Sequence, residues 1–134
     1  MRNPTTTTDI ETVEVEKDKG FTLVELLVVV VIIGILAAIA IPLFLNQREK
    51  AQEAGVKSDL KNAATLMETY YVDNQAYPNQ TGLEAMDGFK TSTGNTITVG
   101  TASGAGGFCL TGVGESGNSF KYDSLDGGLA DGAC

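Results

Sequence analysis

Side chains able to do covalent or metal chemistry are scarce in this sequence of 134 residues. It has no His and two Cys, Cys109 and Cys134, with 17 acidic residues against 9 Lys and Arg for a net charge of −8. Without His, neither a Ser–His or Cys–His nucleophilic pair nor a zinc-type His/Cys cluster can be assembled. No Gly-rich loop ends in the Gly-Lys-Ser/Thr signature that cradles a phosphate. Asp123, Asp126 and Asp131 stand close together, but their spacing departs from the EF-hand pattern, and they are expected to be solvated turn acids. Composition therefore argues against most enzymes: no catalytic residue, metal ligand or cofactor is expected. Residues 78–134 hold only Lys90 and Lys121 as cations against six acids. Such a surface repels phosphate backbones, which argues against direct nucleic-acid binding.

Glu25 makes the sharpest chemical demand. It abuts 20 consecutive residues, Leu26 to Leu45, without a charge or an uncharged polar side chain. As a helix that run spans about 30 Å, the thickness of bilayer hydrocarbon. A carboxylate in hydrocarbon costs a few kcal/mol at the centre of a span and less near its end. Glu25 therefore either seeks a cation or sits in the headgroup zone, and Lys and Arg are absent from Gly20 to Gln47.

The elements that position these residues follow from periodicity. Residues 1–20 form a polar leader with Arg2, Lys17 and Lys19 among five acids, without helical or strand period. Residues 21–45 are the apolar helix, weakened by Gly34 and Pro42, which cost about 1 and about 3 kcal/mol in a helix interior. Pro42 predicts a kink or a local loss of hydrogen bonding; Gly34 serves equally as a site of close helix packing. An amphipathic helix continues over 46–74: Val56, Leu60, Ala63, Ala64, Met67, Tyr70 and Tyr71 recur at spacings of three and four, with Lys57, Asp59, Lys61 and Glu68 between them. A loop over 75–95 follows, containing at most a helical turn at Leu83–Met86. Of 16 glycines, 13 lie from Gly82 onward. Short alternating runs at Thr96–Val99, Phe108–Val113 and Phe120–Tyr122 predict strands, the last two joined by a hairpin loop at Gly114–Asn118. The expected fold is α+β, a long N-terminal helix on a small antiparallel sheet of three to four strands, with the globular part at 46–134. Tyr70, Tyr71 and Tyr77 are expected to pack helix against sheet; nothing selects the alternative of an aromatic path for charge. If this domain lies outside the cytoplasm, Cys109 and Cys134 pair, a bond worth about 3 to 4 kcal/mol by loop entropy. The alternative is a buried thiol plus a reactive one at the end.

Two ordinary readings of the N-terminal region compete. Ala38-Ile39-Ala40 offers a secretory cleavage site after Ala40, which would release a binding domain, although Glu25 and Pro42 fit it poorly. As a membrane span, the segment has three cations before it and four soon after, so the positive-inside rule sets no orientation. The hexad Gly20-Phe21-Thr22-Leu23-Val24-Glu25, with Lys17 and Lys19 upstream, resembles the class III signal of type IV pilins and of the related type II secretion pseudopilins. The likeness runs through Gly34 and Pro42 to Ser58-Asp59-Leu60-Lys61-Asn62, Tyr71-Val72-Asp73-Asn74 and Tyr77-Pro78. The leader departs from the family pattern in being long and net acidic.

The resemblance implies a set of roles. A membrane peptidase would cut between Gly20 and Phe21 and methylate the new amine of Phe21. The chain would wait in the cytoplasmic membrane with its globular domain outside, until an assembly motor and platform drew it into a helical filament of identical copies on the cell surface. Glu25 would pair with the Phe21 amine of a neighbouring copy, the only cation within reach, and set the axial register. Gly34 and Pro42 would bound a segment that unwinds in the fibre. The function implied is a type IV pilus subunit, serving adhesion, motility or DNA uptake. The alternative is the major pseudopilin of a type II secretion system, suggested by Tyr77-Pro78 followed by Thr81-Gly82-Leu83-Glu84-Ala85-Met86.

Overall fold

A computed structural model describes residues 20–134, so that most of the leader lies outside the described residues. The chain divides into two compact units, one ending at Ala38 and the other running Ile39–Cys134. Helix α1 (Leu23–Asn74) is one continuous helix of 52 residues that keeps Pro42 in its interior. In the first unit, among Phe21–Ala38, every large apolar residue is exposed.

In the second unit, α1 faces a four-stranded antiparallel meander, β1 (Thr96–Gly100), β2 (Cys109–Val113), β3 (Ser119–Asp123) and β4 (Gly128–Asp131), ordered as in the sequence. Residues Val56, Leu60, Ala63, Ala64 and Met67 recur along one stripe of α1 and bury it. They meet Ile97, Leu110 and Phe120 from the sheet, with Phe108 and with Leu83 of the short helix α2 (Gln80–Glu84). The strands alternate because one sheet face is buried, and register follows: Ile97 opposes Gly112, which opposes Phe120. Gly112 is required by close approach, since a Cβ there would lie 2.7 Å from Val56 Cγ1 and 2.9 Å from Leu60 Cγ.

Several expectations change in detail. The helical turn of the loop lies at Gln80–Glu84, ahead of Leu83–Met86, because Asn79 caps it by accepting from the Gly82 N–H at 2.9 Å. The buried stripe of α1 ends at Met67, and Tyr71 instead stacks on Tyr77, 4.6 Å between ring centres. Asp59 does not sit between apolar positions on a wet face. It is 6% exposed and accepts from Ser92 N–H at 2.8 Å, Ser92 Oγ at 3.0 Å and Asn95 Nδ2 at 2.8 Å. Asp123 is likewise no solvated turn acid. It is 2% exposed and accepts from Leu125 N–H at 2.9 Å and Ser103 N–H at 3.0 Å. The Leu125 N–H, then that of Ser103, hold its carboxyl below the ordinary value against the opposing effect of burial. Asp126 pairs with Lys121 at 3.3 Å, and Asp131 is exposed on β4.

Candidate assembly site at the start of the long helix

Helix α1 begins with a reciprocal cap. The Glu25 N–H donates to Thr22 Oγ1 at 3.2 Å, and the Thr22 N–H donates to Glu25 Oε2 at 3.4 Å. Thr22 and Glu25 thus satisfy two of the donors that a helix start leaves open, the arrangement called a capping box. Its signature, Thr-x-x-Glu before an apolar run, stands in the sequence at 22–25, inside the hexad and distinct from its Gly20-Phe21 end. In the isolated chain the Glu25 carboxylate is therefore held on its own backbone, beside Thr22 Oγ1 at 3.4 Å.

Gly20 and Phe21 precede the helix in non-helical backbone, and Phe21 is 86% exposed. Among the described residues nothing lies within 4 Å of the position of a Gly20 Cβ. From Phe21 to Leu45 the apolar side chains point outward on every side of the helix, Gly34 and Pro42 included in the same exposed run. A helix apolar all round is stable only when hydrocarbon or other helices cover it. Its length and composition suffice to cross a membrane.

The other sequence-derived site residues lie elsewhere. Cys109 and Cys134 form a disulfide, Cα atoms 5.9 Å apart, which joins residue 134 to β2. It packs beside β1, where a Cβ at Gly100 would meet Cys134 Cβ. The row of rings goes on from Tyr77 to Phe108, tilted at 4.8 Å, and from Phe108 to Tyr122, stacked at 5.9 Å. Tyr77 also donates to Glu68 at 3.3 Å; burial first, then the Glu68 charge, push its hydroxyl pKa up. No group of three metal-ligating side chains occurs among the described residues.

Residues 17–41 match the family model described as the prokaryotic N-terminal methylation motif. Over 105 residues the chain is 38% identical to the type IV wide pilus major component PilA4 of Thermus thermophilus, covering 78% of this chain and 79% of that protein. The chain belongs to the type IV pilin and pseudopilin family. Over 80 residues this pilin-family chain is 45% identical to the type II secretion system core protein G of Pseudomonas aeruginosa, covering 59% of this chain and 55% of that protein. With the protein of the same name from Escherichia coli K12 it shares 41% over 73 residues, 53% of this chain and 50% of the relative. It thus spans about half the length of these secretion relatives and most of the pilus component. The long helix on an antiparallel sheet is a pilin-like α+β fold.

Proposed function

We propose that the chain is a structural subunit that polymerises through α1 into a type IV pilus. The observation that carries this is the apolar run Phe21–Leu45, exposed on all sides and headed by a carboxylate. Burial of that surface needs a bilayer before assembly and a bundle of like helices afterwards. A prepilin peptidase acting on the Gly20–Phe21 bond creates the amine at Phe21 that becomes methylated. Glu25 then leaves Thr22 and pairs with the Phe21 amine of a neighbouring copy, exchanging a helix cap for an ion pair in hydrocarbon. An assembly motor and platform extract the chain from the cytoplasmic membrane, and the segment between Gly34 and Pro42 is where the helix yields. The role is structural and non-enzymatic, and the products are filaments at the cell surface.

The second reading, a type II secretion pseudopilin, is favoured by the identity with core protein G over the first part of the chain. Intact mass of the mature protein tests the shared part of both readings: a methylated chain beginning at Phe21 supports them, and one beginning at Ile41 sinks them. Electron microscopy of sheared cell surfaces separates them, since long surface filaments support the pilus. Glu25→Ala is expected to abolish filaments while leaving the chain in the membrane. Normal filament yield from that variant would refute the assembly role of Glu25.

A further inference from the structure

Strand β1 is an edge strand, and it carries neither the charge nor the Pro that commonly protects an edge. No residue between Lys90 and Glu115 is charged, and β1 reads Thr-Ile-Thr-Val-Gly, a β-prone run without Pro. Such an edge offers free N–H and C=O groups to any other strand. In this chain one side chain meets them. The Val99 N–H donates to Gln80 Oε1 at 2.7 Å, and Gln80 Nε2 donates to the Ile97 carbonyl at 3.1 Å. A single carboxamide so supplies the acceptor and the donor that one residue of an added strand would supply. Gln80 is itself held in place: its Nε2 also donates to Glu84 Oε1 at 2.6 Å, and Asn79 caps the helix it stands on.

We infer that Gln80 is an edge guard, a side-chain surrogate for a neighbouring strand that keeps β1 from pairing with the sheet edge of a second copy of this chain. The need for a guard rests on the filament reading, because subunits gathered by their helices present their sheets to one another at high effective concentration. The sheet has two edges, β1 and β4. Pairing of β1 with β4 of another copy is head-to-tail, and where its rotation does not close a ring it propagates in competition with assembly through α1.

The test compares the full chain in detergent micelles as wild type, Gln80→Ala, and Gln80→Ala combined with Thr98→Lys, which puts a charge at an exposed β1 position. Amide exchange by NMR and thioflavin T binding are followed. In Gln80→Ala the Val99 amide is expected to exchange about tenfold faster or more, with the Leu110 amide inside the sheet unchanged, and β-rich assemblies are expected to grow. Thr98→Lys should suppress that growth without restoring Val99 protection. Equal Val99 exchange in wild type and Gln80→Ala overturns the inference. So does a Gln80→Ala chain as monodisperse as wild type, or growth that Thr98→Lys leaves untouched, since that marks general unfolding. Val99 exchange reads the guard alone, so its failure is separate from any failure in processing or filament formation.

Discussion

At the scale of single residues, two buried acids do the work that sequence spacing assigned to solvent. Asp59 sits on α1 and receives three hydrogen bonds from Ser92 and Asn95, which pins the loop ahead of β1 to the helix. Removing the carboxylate leaves those part-buried donors without their acceptor, so Asp59→Ala is expected to lower stability by about 1 to 2 kcal/mol, read from the denaturant midpoint. Asp59→Asn should rescue little, because its amide nitrogen would face donors. The burial of Asp59 was not legible, because by spacing it counts among the charges between apolar positions, although it stands three residues after Val56 and one before Leu60. Its partners were hidden too, since they lie 33 and 36 residues on in a loop without periodicity. Asp123 gives a pH dependence. Its folded pKa lies below the ordinary 3.8, so its contribution is present above that value and is lost as pH falls through the lower, folded one. Thermal unfolding of the wild type should therefore weaken steeply below about pH 4, and Asp123→Asn should flatten that slope. An unchanged slope in the variant would show that other carboxylates carry the acid sensitivity.

At the scale of elements, the helix and its sheet were readable for different reasons. The end of α1 at Asn74, the hairpin loop at Gly114–Asn118 and three of the strands follow from period and turn residues. Strand β4 was less visible, because Gly128-Leu129-Ala130-Asp131 is short and its pairing with Phe120–Asp123 is decided by the sheet and not by local preference. The Thr22–Glu25 cap was written in the sequence, whereas the Gln80 contact to β1 depends on a tertiary approach that no local pattern announces. At Gly112 the sheet lies close against α1. Gly112→Ala drives a methyl into Val56 and Leu60 and is expected to cost about 1 to 3 kcal/mol, with the same denaturant measurement as check. At the other end of α1, Pro42 supplies no N–H for the carbonyl of Ala38. Pro42→Ala restores that donor, and hydrogen exchange across residues 36–44 in micelles should slow. Exchange as fast as in wild type would place the weak point of the helix elsewhere.

At the scale of the whole molecule, near-neutral mean hydropathy conceals two kinds of surface, an apolar helix with no cover of its own and an acidic domain with a small two-layer core. A core drawn from one helix stripe and one face of four short strands leaves a narrow stability margin. The disulfide matters accordingly. It closes a separation of 25 residues that contains β3 and β4, and so restricts the unfolded chain over that half of the sheet. From two cysteines alone the pairing is conditional on compartment, because they do not say which redox environment they meet. By loop entropy the bond contributes about 3 kcal/mol, and Cys134→Ser is expected to lose that amount. Denaturant midpoints with and without reductant check it internally: wild type should fall to the level of Cys134→Ser when reduced, and the variant should not respond. A wild-type midpoint unmoved by full reduction would mean that packing around the buried Cys109, and not the covalent closure, holds β2 to the sheet.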